Sequence, residues 1–258
     1  MSPAAHSWDS ERLAALERTG YCNAGPIFST AELAEIGAEY DRLVTLEAQT
    51  LGNAREGVYP YRAMLNFRSP ALRRFLTHPR LLEIAVSVLG PDVRFWWDQG
   101  INKLPGSGSP IPWHQDNGYT RGNMPAYLTC WLALDASSSR NGGLEVLPGS
   151  HTWGSLPHTM EGAHAVLDES ALPQRDGVAL DAEAGDLLVF SSLLVHQTRG
   201  NHTRDQPRRA WVIQYCRGDQ RNERTGEVYD NRAWVVRGGE PLAEPWSERR
   251  FSLRDDAP

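Results

Sequence analysis

Apolar residues recur at helical spacing close to the start of the chain. Leu13 and Leu16 lie on one face of a helix predicted in SWDSERLAALERTG. Asp9 or Ser10 is its candidate N-cap, and Gly20 marks its end.

A longer amphipathic segment follows in FSTAELAEIGAEYDRLVTLEAQTLG. Ser29 or Thr30 is its candidate N-cap, and Glu32 stands three residues after Ser29, as in a capping box. One apolar stripe then runs along the segment, made of Leu33, Ile36, Tyr40, Leu43 and Leu46. The stretches 70–78 and 79–89 have the same periodicity, so the first 90 or so residues are predicted to be mainly helical.

From Val93 onward the pattern changes to short segments rich in β-branched and aromatic residues, separated by Gly, Pro, Asn and Asp. The predicted strands lie in VRFWWDQGINKL, AYLTCWLALD, GGLEVLPGS, GDLLVFSSLLVHQT and RRAWVIQYC. This pattern is typical of a sandwich or jelly roll. We therefore expect a mainly β protein with a double-stranded β-helix (jelly-roll, cupin-like) core and N-terminal helices packed on one face. The prediction is one domain over 1–258, with a helical part at about 1–90, the core at about 91–220 and an extension at about 221–258.

Composition narrows the class of partner. The net charge of -6 and the pI near 5.8 argue against a nucleic-acid or anionic-membrane surface. The three cysteines are odd in number and far apart, as expected of reduced thiols. Without a signal-peptide pattern or a long apolar run, the sequence predicts a cytoplasmic protein that acts on a small molecule, with no membrane partner. The oligomeric state is left open, including a homo-oligomer.

The stretch PWHQD contains a candidate pair of metal ligands, His114 and Asp116. Chance competes with this interpretation, because 8 histidines and 32 acidic residues in 258 should give about one such pair at random. The interpretation as metal ligands therefore depends on further candidate residues that lie far away in the sequence.

A non-haem iron oxygenase needs two imidazoles and one carboxylate on one face of the metal. Residues i and i+2 of a strand point the same way, so His114 and Asp116 suit two of these positions, with Gln115 pointing away. His196, 82 positions after His114 in a β-like segment, suits the third, and we expect its strand to face the first across the barrel. His151 is a rival in a turn-like context. A zinc hydrolase would use similar ligands, but the chain contains no HExxH motif.

A carboxylate clamp is predicted after His196. Arg208 begins a strand twelve residues later, and a guanidinium can bind the remote carboxylate of 2-oxoglutarate through two hydrogen bonds. Thr198 shares the strand face of His196 and offers a hydroxyl. The competing interpretation is a surface arginine in a basic loop, beside Arg199, Arg204 and Arg209.

Together these motifs resemble the phytanoyl-CoA dioxygenase (PhyH) family of Fe(II)/2-oxoglutarate-dependent oxygenases, to which ectoine hydroxylase is related. The similar segments are TGYCNAGPIFSTAELAEI, INKLPGSG with PWHQD, CWLALDASSSRNGGLEVLPGSH and HQTRGNHTRDQPRRA, which cover most of the chain. The resemblance implies Fe(II), 2-oxoglutarate and O2 as cofactor and cosubstrates, with His114, Asp116 and His196 as catalytic iron ligands.

The resemblance also implies a cosubstrate pocket. Arg208 would bind the 2-oxoglutarate carboxylate, Thr198 would assist it, and Asn102, Thr129 and Trp131 would line the pocket. The spacing from histidine to arginine is one residue longer than in known relatives, which leaves Arg209 as an alternative to Arg208.

The expected reaction is hydroxylation of an unactivated C–H bond of an amino acid or a natural-product intermediate, with release of succinate and CO2. Asp116 separates this chain from halogenases, which have a small residue at that position. Desaturation, epoxidation or ring formation is an alternative outcome, and a non-catalytic, metal-binding cupin-like module is an alternative class. Candidate substrate contacts are Asp98, which could meet an amine-bearing substrate, and Asn117 and Tyr119 beside the metal pair.

Overall fold

The computed structural model describes residues 8–51, 62–106, 110–120, 124–162, 164–173 and 176–246. The core of the protein consists of two antiparallel sheets. The helices are α1 (Ser10–Thr19), α2 (Thr30–Leu51), α3 (Leu65–Arg68), α4 (Pro70–Phe75) and α5 (Pro79–Leu89). The first seven strands are β1 (Tyr21–Pro26), β2 (Arg62–Ala63), β3 (Val93–Lys103), β4 (Ile111–His114), β5 (Leu128–Ala133), β6 (Leu144–Val146) and β7 (His158–Glu161). The others are β8 (His164–Leu167), β9 (Val178–Leu180), β10 (Asp186–Ser191), β11 (His196–Thr198), β12 (Arg208–Arg217), β13 (Trp234–Arg237) and β14 (Glu240–Pro241).

The predicted helix caps are present. Asp9 caps α1, accepting a hydrogen bond from the Glu11 backbone amide at 2.9 Å, and Gly20 ends the helix in the left-handed conformation with φ 87°. At α2, the Ser29 backbone amide donates to the Glu32 carboxylate at 2.8 Å, as in a capping box. Both N-terminal helices are therefore confirmed.

The large sheet has the strand order β1-β10-β5-β12-β3-β13-β14, with β2 paired to β3. The helices pack on one face of this sheet, where Trp211 and Ile213 of β12 join the largest hydrophobic cluster. The alternate positions Ala210 and Val212 face the opposite side and join a second cluster. Both faces of the central strands are thus buried, and the jelly-roll prediction with helices on one face is confirmed.

The smaller sheet has the order β4-β11-β6-β9 and encloses the second cluster against the large sheet. Ile111, Leu144 and Val146 pack there against Trp131 and Phe190. This interior between the two sheets is where β4 and β11 place the predicted metal ligands.

One predicted strand is wrong as a single element. GDLLVFSSLLVHQT divides into β10 in the large sheet and β11 in the small sheet. A turn separates them, closed by a hydrogen bond from the Leu194 backbone amide to the Ser191 carbonyl at 2.9 Å. The apolar run is continuous because its residues stay buried while the chain crosses between sheets.

Further strands were not predicted. The hairpin of β7 and β8 lies between the predicted strands GGLEVLPGS and GDLLVFSSLLVHQT, and β13 extends the large sheet beside β3. Cys22, Cys130 and Cys216 are buried and free. Among the described residues, no helix is both long enough and apolar enough to cross a membrane.

Candidate metal centre

Three buried side chains converge between the two sheets: His114, Asp116 and His196. Each offers one ligand atom, and the three atoms lie within 4.8 Å of one another. The Asp116 Oδ1 atom is 3.8 Å from Nε2 of His114 and 3.7 Å from Nε2 of His196. The sequence prediction that these residues meet is confirmed.

The two histidines come from neighbouring strands. β4 and β11 are antiparallel, and His114 and His196 are register partners whose ring centroids lie 4.1 Å apart. The expectation that His196 faces His114 from across the barrel is therefore wrong. Directly opposed side chains of paired strands are close enough to share a ligand, so the ladder itself sets the separation of the two imidazoles.

Hydrogen bonds fix which ring nitrogen is available. Nδ1 of His114 lies 2.7 Å from the Pro112 carbonyl, and Nδ1 of His196 lies 2.9 Å from the Leu194 carbonyl. Because a carbonyl only accepts, each Nδ1 carries the proton and donates, which leaves Nε2 as a lone-pair donor for a metal. Burial, and then the neighbouring His196, holds the pKa of His114 well below its usual value, which favours the neutral ligand form.

Asp116 is oriented by hydrogen bonds from two residues that are not metal ligands. It begins a short 3-10 turn, Asp116–Thr120, directly after β4. Its Oδ2 atom accepts hydrogen bonds from the Thr129 hydroxyl at 2.6 Å and from the Gln214 amide at 3.0 Å. These two donors hold one carboxylate oxygen, and Oδ1 faces the imidazoles.

Thr129 therefore acts on Asp116, rather than simply lining a cosubstrate pocket as the resemblance implies. Gln214 was missed by sequence reasoning. The signal was present, since Gln214 lies six residues after Arg208 on β12 and so shares its face.

Two residues next to His114 and Asp116 in the sequence differ in whether their side chains face the metal centre. Gln115 points away as predicted, and its amide donates to the carbonyls of Gly154 and Leu193. Tyr119 packs edge-on against the His114 ring at 5.6 Å between centroids, and is half-buried. The structure thus keeps Tyr119 next to the centre.

A second group of polar side chains lies further along the inner face of β12. Arg208 is fully buried, and one of its amino groups donates to the Gly142 carbonyl at 2.7 Å. Among the described residues, its Nε and Nη1 atoms have no hydrogen-bond partner, and neither has the Thr198 hydroxyl or the Trp131 indole nitrogen. The Arg208 guanidinium carbon lies 5.6 Å from the centroid of the Trp131 ring.

Unpaired buried donors are costly unless a ligand satisfies them. Arg208, Thr198 and Trp131 therefore form a cradle with a positive charge that suits an anionic group.

Arg209 has a different environment. Its guanidinium donates to Asp135 at 2.6 Å and to Asp41 at 2.7 Å, on the helix side of the large sheet. These carboxylates raise its pKa, the Asp135 hydrogen bond contributing most. Because Arg209 is already paired, the geometry favours Arg208 as the carboxylate-binding arginine.

Two predicted site residues of β3 lie on the opposite face. Asp98 is fully buried and accepts hydrogen bonds from the Asn66 amide at 2.5 Å and the Trp211 indole at 3.0 Å. Asn102 is the register partner of Arg209, so it shares the helix side. The substrate role expected for Asp98 and the pocket role expected for Asn102 are not retained, because neither side chain reaches the interior between the sheets.

Asn117 is also engaged elsewhere. Its amide donates to the Met124 carbonyl at 2.6 Å, and its side-chain carbonyl accepts from the Ser192 hydroxyl at 3.1 Å. The residue anchors the turn that carries Asp116, so the predicted substrate contact is not retained.

The donor set fits a specific class of metal. Two neutral imidazoles and one carboxylate oxygen, with further directions left open, suit non-haem Fe(II). Each ligand also has an outer hydrogen-bond partner, as metal sites generally require.

Comparisons with known proteins agree with this geometry. Residues 16–210 match the family model described as phytanoyl-CoA dioxygenase (PhyH). The chain is 28% identical to ectoine dioxygenase of Sphingopyxis alaskensis over 280 residues, covering 94% of this chain and 90% of the relative. It is 30% identical to methylphosphonate hydroxylase of Gimesia maris over 198 residues, covering 72% and 71%.

A solved structure resembles the whole fold. The epimerase SnoN, crystallised with Fe3+, alpha ketoglutarate and nogalamycin RO, superposes with a TM-score of 0.66 and 26% identity. The match covers 90% of this chain and 94% of SnoN.

Proposed function

Because the chain belongs to the phytanoyl-CoA dioxygenase family, we propose that it is an Fe(II)- and 2-oxoglutarate-dependent dioxygenase whose iron is held by His114, Asp116 and His196. The observation that carries the assignment is the pairing of this buried triad with a separate anion cradle at Arg208. Relatives named dioxygenase and hydroxylase, and a structural neighbour with iron and alpha ketoglutarate, support the same class.

Iron in this position would activate O2 at the expense of the cosubstrate and would oxidise a C–H bond of the substrate. The rest of the chemistry belongs to the chain. Arg208 and Thr198 hold the distal carboxylate of 2-oxoglutarate, and Trp131 closes the pocket behind it. The hydrogen bonds from Thr129 and Gln214 keep one oxygen of Asp116 directed at the metal.

The interior also excludes water from the reaction. The second hydrophobic cluster surrounds the ligands with apolar side chains, and the Phe190 ring packs edge-on against the His196 ring at 5.0 Å between centroids. A dry environment strengthens the charge interactions of the pocket.

For the substrate we propose a small molecule, either an amino acid or a natural-product intermediate, entering beside Tyr119. Ectoine dioxygenase and SnoN support this range without selecting within it. A cytoplasmic location is part of the proposal and is supported by the three free cysteines.

Hydroxylation is the outcome that we propose, and the carboxylate ligand Asp116 argues against halogenation. The alternative is another oxidation of the same substrate class, such as desaturation, epoxidation or ring formation. SnoN, which is named an epimerase, supports keeping that alternative.

The test is conversion of 2-oxoglutarate to succinate by the purified protein with Fe(II) and ascorbate, in the presence of a panel of amino acids and natural-product precursors. Asp116→Ala should abolish succinate formation, whereas Arg140→Met, on the exposed surface, should not alter it. Iron binding without succinate formation by the wild type under all conditions would instead favour a non-catalytic metal-binding module.

A further inference from the structure

The chain contains a single lysine, Lys103, and the other 25 of its 26 basic residues are arginines. That lysine is 1% exposed and lies at the end of β3. A buried lysine in a chain that otherwise uses arginine indicates a position where a property of the amine is needed that a guanidinium lacks. The two side chains differ in that lysine is compact and can lose its proton on burial.

Lys103 lies inside the anion cradle. It is the register partner of Arg208, so both side chains face the interior between the sheets. Its side-chain amine donates to the Thr198 carbonyl at 3.1 Å and to the Arg199 carbonyl, and a neutral amine has the two N–H groups that these bonds need. The lysine therefore fixes the backbone of the residue whose hydroxyl faces the cradle.

The space around Lys103 is closed by Gly142. A Cβ atom at Gly142 would lie 2.8 Å from Cδ of Lys103 and 2.7 Å from the Arg199 carbonyl, and the glycine has φ 82°. The same glycine accepts the Arg208 hydrogen bond. Only a residue without a side chain fits there, so the loop at Gly142 packs directly against the stem of Lys103.

On the premise of the proposed function, we propose that Lys103 is a positioning residue of the cosubstrate pocket that is uncharged in the empty site and takes a proton from solvent when 2-oxoglutarate binds. The geometric basis is two basic side chains facing one buried cradle. In the empty site a second positive charge would repel Arg208. When a dianion occupies the cradle, the same charge becomes favourable.

The charged surroundings support this assignment. Burial, and then the charge of Arg208, lowers the pKa of Lys103 to about 6. Arg208 on β12 acts electrostatically on Lys103, and Lys103 acts in turn on His164 of β8. The Arg199 side chain, which follows β11, pairs with Glu145. His164 is itself shifted to a lower pKa, first by burial and then by Lys103, so it adds no stable positive charge.

The sole lysine makes a direct test possible. Protein labelled with lysine carrying 13C at Cε gives a single lysine signal, whose chemical shift reports the charge of the amine. With Zn(II) as a diamagnetic substitute for Fe(II), we expect the neutral-amine position at pH 7.5. Adding 2-oxoglutarate should move the signal to the ammonium position. An ammonium signal from pH 7 to 9 without 2-oxoglutarate would overturn the proposal, and so would a neutral signal that the ligand leaves unchanged.

Calorimetry of 2-oxoglutarate binding, in buffers of different ionisation enthalpy, counts the protons taken up. We expect about one proton for the wild type and for Arg140→Met, and none for Lys103→Met. Lys103→Met should also raise the KM for 2-oxoglutarate by about 10- to 100-fold, the range of a lost charge-assisted contact, with a smaller change in kcat. Unchanged proton uptake and KM in Lys103→Met would contradict the proposal.

The two proposals fail in different ways. If the wild type forms no succinate from 2-oxoglutarate, the proposed function fails, while the lysine signal still reports whether the amine is charged. If Lys103→Met does not fold, the titration of the wild-type signal decides the question alone.

Discussion

The Gln214 amide nitrogen lies 3.0 Å from Oδ2 of Asp116, and the Thr129 hydroxyl lies 3.1 Å from the same amide nitrogen. The three side chains form a closed triangle of hydrogen bonds around one oxygen of the predicted metal ligand. β5 and β12 supply the two donors, as Gln214 and Thr129 are register partners. The large sheet thus orients a ligand that the small sheet carries.

Replacement of Gln214 by Leu should weaken iron binding. Outer hydrogen-bond partners of metal ligands are typically worth about 10- to 100-fold in metal affinity. We expect a loss in this range, measured by competition with a chelator, and unaltered folding by circular dichroism. Gln197→Leu is the matched control, because Gln197 lies beside His196 but turns outward to Glu145. Equal iron affinity in both variants would show that the triangle does not tune the metal.

Replacing Arg208 or Arg209 by Met should have different effects, one on cosubstrate binding and the other on stability. Arg208→Met removes the buried guanidinium of the cradle, so the KM for 2-oxoglutarate should rise by about 10- to 100-fold. Arg209→Met breaks pairs with Asp135 and Asp41 on the helix side. It should lower the unfolding free energy by about 1–3 kcal/mol and leave that KM unchanged. The opposite assignment of the two effects would make Arg209 the carboxylate-binding residue.

The metal triad could be predicted from the sequence because its rule is local. Residues two apart at a strand end point the same way, and the second histidine has a distinctive following motif. The pairing of His114 with His196 in neighbouring strands could not be predicted, because strand order in a jelly roll depends on contacts far apart in sequence. The spacing from Arg208 shows which strand face Gln214 is on, but its contact with Asp116 also depends on the pairing of distant strands.

The face of β3 was harder to predict. Period-two alternation correctly puts Asp98 and Asn102 on one face, but both faces of this strand are buried, one by helices and one by the small sheet. Alternation therefore says which residues share a face and not which face is the interior. A register shift between Gln214 and Tyr215, opposite Trp97 and Phe95, also breaks simple counting along the strand.

Tyr119 and Asn117 should behave differently despite their proximity. Tyr119→Ala removes a ring packed on His114, so with a true substrate the ratio of oxidised product to succinate should fall, with iron affinity retained. Asn117→Ala removes the hydrogen bond to the Met124 carbonyl and the acceptor of the Ser192 hydroxyl proton. It should lower the unfolding free energy by about 1–3 kcal/mol. Thermal denaturation and product analysis of both variants check the distinction, and coupling that is unchanged in Tyr119→Ala would remove Tyr119 from the substrate site.

Asp98 should make the unfolding free energy depend on pH and should have no effect on catalysis. Burial raises its pKa from 3.8 to about 6, against the hydrogen bonds from Asn66 and Trp211 that lower it. The folded protein therefore binds this proton more tightly than the unfolded chain does. The resulting stabilisation is full below about pH 4 and is lost as the pH rises through 6, by up to about 3 kcal/mol.

Asp98→Asn removes that titration and directs an amide at the donors of Asn66 and Trp211. The variant should be less stable than the wild type at pH 5, and the gap should narrow by pH 7, as measured by urea denaturation. Asp205→Asn, at an exposed loop position, should show no such pH dependence. A constant stability difference from pH 5 to 7 would mean that Asp98 titrates alike in the folded and unfolded chain. A raised KM for substrate would return this carboxylate to the binding site.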